Sequence, residues 1–156
     1  MSVELESQLL AEVVGQTLED ATFTFTEVTG NAAPFDGDVI EARLGYDGPA
    51  SGEIRLASGT AFADALAANL LGVEPDSAEA ASRGAEAIGE MLNMVCGVLL
   101  VRWFGHEVAC RLGLPMVRVV PAATYEAGLA GAASRVSLVD ESGQRIDAAN
   151  FVPGTR

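Results

Sequence analysis

Positive charge is scarce in this chain: nine Lys and Arg stand against twenty-two Asp and Glu, giving a formal net charge of −13 over 156 residues. Phosphate-driven binding to nucleic acid and attraction to anionic lipid both need the opposite sign, so neither is expected as a partner. Cysteine is nearly absent. Cys96 and Cys110 lack CxxC spacing and lie in apolar surroundings, which reads as reduced structural thiols rather than a redox or zinc centre. The single histidine, His106, has only the adjacent Glu107 near it, too few ligands for zinc, and reads as a strand-start residue without a catalytic role. Walker loop, G-x-S-x-G elbow and G-x-G-x-x-G are all missing. The opening MSVELESQLL carries glutamates where a secretory leader needs Lys or Arg, which points to the cytoplasm. The most apolar run, Met91 to Phe104, is interrupted by Asn93 and Arg102 and is shorter than the roughly twenty residues of a membrane span.

An apolar content of 49% is enough to fill one core, so a single domain over residues 1–149 is expected, with residues 150–156 a frayed tail. Leu5, Leu9, Leu10, Val13, Val14 and Leu18 recur at helical spacing and predict an amphipathic first helix that covers a sheet. The strict alternation of Thr22 to Thr26 predicts a strand. Residues 38–46 and 51–57 alternate on either side of Asp47-Gly48-Pro49 and predict a hairpin. A short helix with Phe62, Leu66 and Leu70 on it should begin at Thr60 and stop at Gly72. From Ser77 to Phe104 there is no proline, and Ile88, Leu92, Val95 and Leu99 recur at four- and three-residue steps, predicting one long central helix. Strand-like patterns follow around Pro115 and on both sides of Glu141-Ser142-Gly143, while residues 121–133 show no clear period.

At about 100° per residue, the apolar stripe of the central helix lies opposite Glu86, Glu90, Asn93 and Gly97. Asparagine and glycine together cost a helix something like 1.5 kcal/mol relative to alanine, so a solvent-facing stripe that keeps both calls for a reason, and an arriving protein would supply one. Glu90 and Asn93 offer a carboxylate beside a neutral amide one turn apart, and Gly97 leaves room for close approach. A carboxylate holds a partner's cation, and an amide fixes a water molecule, which suits phosphoryl transfer, where positioning carries most of the catalysis. Glu-x-x-Asn by itself is nevertheless a weak signal: Arg83, Glu86 and Glu90 also fit an ordinary solvated face with i,i+3 or i,i+4 pairs. Ser58-Gly59-Thr60 fits an anion site or, more simply, a Ser or Thr helix cap. Trp103 and Phe104 fit the core better than an interface.

The segment Ala87-Ile88-Gly89-Glu90-Met91-Leu92-Asn93-Met94-Val95-Cys96-Gly97 resembles the signature helix of the CheC/CheX family of receiver phosphatases, where Glu, Asn and Gly recur at this spacing. Upstream, Gly52-Glu53-Ile54-Arg55-Leu56 and Ala65 to Gly72 are similar to the family's strand and short helix. Downstream, Leu112-Gly113-Leu114-Pro115-Met116-Val117 is similar to its proline-containing strand, so the likeness covers residues 5–121 and is strongest over 52–117. It implies an α/β sandwich of α+β character, a largely antiparallel mixed sheet with two long helices on one face. It also implies a phosphatase acting on the aspartyl phosphate of a CheY-like response regulator. Glu90 would pair with the receiver's lysine, Asn93 would orient the attacking water, and Gly97, Glu86 and Met94 would belong to the binding surface. The Mg²⁺ would be the receiver's, with no cofactor or metal site in this chain. Members of the family often form homodimers. CheC-type members carry two copies of the motif, and since Glu4 to Ser7 and Glu12 to Gly15 lack the asparagine, a single site favours the CheX type. The carboxy-terminal part does not align. A non-catalytic module that binds a receiver or assembles with signalling proteins, and a structural homodimer with a solvated stripe, are the competing readings.

Overall fold

The computed structural model describes residues 2–153. The first helix, α1 (Val3–Thr22), is capped by Ser2, whose hydroxyl accepts the Leu5 N–H at 3.2 Å, and it buries Leu10, Val13, Val14 and Leu18. The predicted strand at 22–26 is overturned. Thr22 is still helical, its hydroxyl donating to the Leu18 carbonyl at 2.8 Å, and Phe23 closes the helix at φ 54° with its ring exposed to solvent. Strand β1 (Thr26–Thr29) starts only where that turn ends.

The hairpin forms as expected from β2 (Val39–Asp47) and β3 (Gly52–Gly59), with Arg43 opposite Arg55 in its register. Helix α2 (Thr60–Leu71) follows and stops at Gly72, whose φ of 70° is the left-handed conformation a glycine tolerates. Neither Ser58 nor Thr60 caps it, correcting the expected cap: Gly59 is the N-cap, and the buried Ser58 hydroxyl donates to the Gly59 carbonyl.

The single long helix from Ser77 is also corrected. A short α3 (Ala78–Ser82), capped by Ser77, ends at Arg83, whose φ of −113° and ψ of 8° interrupt the helix, and α4 (Gly84–Phe104) follows. Close packing explains the break. A β-carbon on Gly84 would stand 2.9 Å from Asp64 Oδ1 and 3.1 Å from the Ala63 β-carbon, so α2 fixes where α4 begins. By length and hydropathy α4 could cross a membrane, but here its apolar side (Ile88, Met91, Leu92, Val95, Leu99) lies in the core.

The rest of the chain adds β4 (Arg111–Leu112), β5 (Met116–Val120), α5 (Ala122–Gly128) with a 3₁₀ turn (Leu129–Gly131), β6 (Ser134–Asp140) and β7 (Arg145–Phe151). His106, expected at a strand start, sits exposed in the turn after α4. Asn150 and Phe151, expected in a frayed tail, belong to β7: Phe151 pairs with Glu53, and buried Asn150 accepts the Tyr46 hydroxyl at 3.0 Å. The remainder of that tail, from Gly154, lies outside the described residues.

One seven-stranded sheet results, in the order β1-β6-β7-β3-β2-β4 with β5 also on β2, every described pairing being antiparallel. The fold class is the one expected. Helices α1, α2 and α4 bury the main core against one face, and half-buried Trp103 and Phe104 pack onto it. The other face carries a smaller core of Val39, Ala57, Val120, Tyr125, Leu129 and Ala149 beneath α5.

Candidate functional site on helix α4

Helix α4 is held on three sides. Its apolar stripe meets β2 and β3, α1 and α2 flank it, and Gly89 is buried against β5, where an added β-carbon would lie 3.2 Å from Val117 Cγ2 and 3.7 Å from Pro115 Cβ. The remaining side faces solvent and carries Glu86, Glu90, Asn93, Met94 and Gly97, all exposed. The helix therefore presents these residues from a backbone locked by core packing.

The members of this stripe differ in what holds them. Glu86 is engaged: Arg83 donates Nε at 2.9 Å to one of its oxygens and Nη2 at 3.0 Å to the other, and the same guanidinium reaches Glu79 at 3.7 Å. That hydrogen-bonded guanidinium pulls the Glu86 carboxyl below its ordinary range. Glu90 and Asn93, by contrast, have no side-chain hydrogen bond or ion pair among the described residues. The local i,i+3 and i,i+4 ion pairs are those of Arg83 with Glu86 and Glu79, and Glu90 has no part in them. At Gly97 a β-carbon would meet nothing within 4 Å, so neither packing nor backbone conformation requires glycine there.

Apolar side chains border the polar stripe. Met94, Val98 and Val101 are exposed on α4 itself, and Leu112, Leu114 and Met116 are exposed on the segment that runs past Gly89. Beside Gly97, a 220 Å³ recess is lined by Leu100, Val101, His106, Cys110 and Leu112. Sequence reasoning missed this border and missed the packing roles of Gly84 and Gly89. Pro115, two residues from Val117, was the available signal that a rigid turn approaches the helix.

Both cysteines are free thiols, Cys96 buried and Cys110 half-buried. Cys96 is buried beneath the helix, where desolvation pushes its thiol up to about 12, so it stays protonated at neutral pH. Among the described residues no group of three or more His, Cys, Asp or Glu is placed to hold a metal ion.

The geometry is that of an antiparallel sheet covered on one face by helices, with a carboxylate and an amide, unpartnered among the described residues, on the open side of α4. The sequence matches the family described as "Chemotaxis phosphatase CheX" over residues 40–129, more than half of the chain, and the chain belongs to that family. No curated protein matches the sequence. Among solved structures, CheX from Borrelia burgdorferi, in a CheX-CheY-BeF3-Mg²⁺ complex, is similar with a TM-score of 0.68 at 14% identity, covering 93% of this chain and 96% of that one. CheX from Desulfovibrio desulfuricans gives 0.63 at 14% identity over 94% of this chain and 98% of that one. Thermotoga maritima FliY gives 0.61 at 12% identity over 96% and 91%. At such identities these likenesses establish the fold.

Proposed function

We propose that this domain is a CheX-type phosphatase that hydrolyses the aspartyl phosphate of a CheY-like receiver, with Glu90 and Asn93 as its catalytic residues. The receiver docks over the exposed side of α4 and brings its own Mg²⁺. Glu90 pairs with the lysine of the receiver site, and the Asn93 amide accepts from and donates to one water molecule, aligning it with phosphorus opposite the aspartyl oxygen. The water oxygen bonds to phosphorus as the aspartyl O–P bond breaks, which regenerates the carboxylate and releases inorganic phosphate, the water's proton leaving with phosphate or to solvent. Met94 and Gly97 belong to the contact surface, and Glu86 contributes through its pair with Arg83. The domain acts in the cytoplasm, where receivers work, and as a homodimer.

The observation that supports this reading most is the contrast along one helix face: Arg83 occupies Glu86, whereas Glu90 and Asn93 stand exposed with no side-chain partner among the described residues. A rigid helix that leaves a carboxylate and an amide unengaged suits a ligand that arrives with the complementary groups. The test is the decay of an acetyl-phosphate-charged receiver. Asn93→Ala should slow it by about 10²- to 10³-fold, the effect of losing one preorganised polar group, with the thermal midpoint unchanged. Unchanged decay in both Asn93→Ala and Glu90→Ala would reject the site.

A second reading, a non-catalytic receiver-binding or assembly module, draws on the similarity in fold to Thermotoga maritima FliY and to the FliM middle domain of Vibro alginolyticus. Binding of the charged receiver without faster decay would select it.

A further inference from the structure

On the face of the sheet turned away from α4, arginines gather where α5 ends. The chain has no lysine, and three of its nine arginines, Arg43 on β2, Arg55 on β3 and Arg118 on β5, project from that face side by side. Register fixes their placement. Arg43 stands directly opposite Arg55, Arg118 stands directly opposite Glu41, and Glu41 and Arg43, two positions apart on one strand, point the same way. Directly opposed like charges destabilise a sheet, so the Arg43–Arg55 pair weakens the fold unless an anion screens it.

The carboxylates beside them are already engaged. Glu41, only 1% exposed, accepts from Arg118 Nε at 2.8 Å and lies 3.9 Å from Arg55 Nη1. Glu53 accepts from Arg55 Nε at 2.7 Å, and the Arg55 guanidinium also lies 3.9 Å over the Phe151 ring. Two guanidiniums are thus held through Nε, and among the described residues no hydrogen bond uses their Nη groups. Arg43, half-buried between them, has no side-chain hydrogen bond or ion pair among the described residues. Three guanidiniums against two carboxylates leave one positive charge uncompensated, in a chain of net charge −13. The approach is open: Met116, opposite Arg43 on β5, and Gly45, two positions along β2, are both exposed.

We propose that Arg43, Arg55 and Arg118 together bind one phosphate-type oxyanion, either free phosphate or the end of a phosphate monoester. The donor set selects phosphate over carboxylate. The open Nη groups of three guanidiniums exceed what the two oxygens of a carboxylate can accept in one plane, whereas the tetrahedral oxygens of a phosphate reach all three residues. A second copy of this chain brings only carboxylates to such a site and is the poorer match by the same count. A phosphodiester polymer is repelled by the acidic surroundings, but a single small anion is not excluded by them. The site is independent of Glu90 and Asn93, which lie on the other side of the sheet.

The experiment is a titration of ¹⁵N-labelled full-length protein with sodium phosphate, blocked phosphoserine and acetate at constant ionic strength, followed at the arginine Nε–H signals. Phosphate or phosphoserine should shift the signals of Arg43, Arg55 and Arg118 saturably, with a Kd of the order of millimolar, and the tighter of the two names the source of the anion. Acetate should bind about tenfold more weakly. Arg43→Gln should weaken phosphate binding about tenfold, and Arg43→Lys, which keeps the charge but not the fork, about threefold. Should Arg43→Gln fail to fold, Arg43→Lys carries the comparison. Arg102→Gln, an exposed change on α4, should leave phosphate affinity as it is. Four outcomes overturn the proposal: no saturation by about 50 mM phosphate, acetate as tight as phosphate, unaltered phosphate affinity in both Arg43 variants, or a fall in oligomeric mass on adding phosphate. The last would assign these arginines to a contact with a second copy.

Discussion

Two clusters of polar side chains on this domain obey opposite rules. Behind the sheet, Asp147 is almost fully buried and accepts from the Tyr125 hydroxyl at 2.6 Å, the Ser137 hydroxyl at 2.7 Å and the Arg145 guanidinium at 2.8 and 2.7 Å. Arg145 also lies 4.2 Å over the Phe35 ring, and burial, followed by the charge of Asp147 and the hydrogen bond to it, pushes the Tyr125 hydroxyl far above its ordinary range. Every donor there has an acceptor. On α4, Glu90 and Asn93 have no side-chain partner among the described residues. Saturated polar groups in a buried cluster fix a structure, tying α5 and the loop before β2 to the sheet. Unsaturated groups on an exposed, rigid face are available to something else, and that difference is what separates a structural network from a site.

Breaking the comparison at its buried end should give the largest effect on stability. Asp147→Ala leaves Arg145 with the more exposed Glu126 and a 3.3 Å contact to the Ala33 carbonyl, and leaves the Tyr125 hydroxyl buried without its acceptor. A loss of about 3 to 5 kcal/mol in chemical denaturation is expected. Asn93→Ala should move stability by less than about 0.5 kcal/mol while changing turnover most, since it removes an exposed side chain with no partner. If the two variants destabilise equally, the distinction between the clusters fails.

The same contrast shows how much could be read from the linear chain. The apolar repeat Ile88, Leu92, Val95 and Leu99 dictated α4's buried side, and with it the outward direction of Glu90 and Asn93, because helical geometry alone relates the two. The hairpin of β2 and β3 was likewise a local matter of alternation and a turn. Contacts between distant segments were not legible. Tyr125 belongs to a short Ala- and Gly-rich helix whose meaning appears only when Asp147, 22 positions later, accepts its hydroxyl. Phe151 is a strand residue because Glu53 lies opposite it. Thr22 to Thr26 misled for the opposite reason: the alternation was real, but capping by Phe23 after a helix already running on Leu10, Val14 and Leu18 outweighed it. The candidate site was legible as a stripe and a family-like motif; the apolar border from the β4–β5 segment needed the fold.

A sharper version of the comparison uses two glycines of one helix. At Gly84 the space for a side chain is already filled by Ala63 and Asp64. The Asp64 carboxylate can swing away, but Ala63 cannot, so Gly84→Ala should cost about 1 to 2 kcal/mol through displacement of α4 from α2. Desolvation already raises the Asp64 carboxyl above its usual range, and it should shift again in the variant, a change visible in its side-chain NMR titration. An unchanged Asp64 titration together with unchanged stability would show that packing at Gly84 does not set the break before α4.

Gly97 should behave the other way, with the smallest effect and the most informative sign. An added methyl there meets nothing within 4 Å, and the backbone is ordinary α-helix, so Gly97→Ala should stabilise the domain by about 0.5 to 1 kcal/mol through the entropy that glycine loses on folding. Glycine at this position is therefore a cost that the isolated fold does not need to bear. If the cost is kept for a partner's close approach beside Asn93, the same variant should lower kcat/KM for receiver dephosphorylation by roughly tenfold, mostly through KM, since the methyl obstructs docking and leaves Glu90 and Asn93 in place. A stabilised variant with unchanged kcat/KM would remove Gly97 from the docking surface while leaving the carboxylate and amide as candidates. A variant that gains no stability would mean that the helix is held differently around Gly97 than its open surroundings indicate.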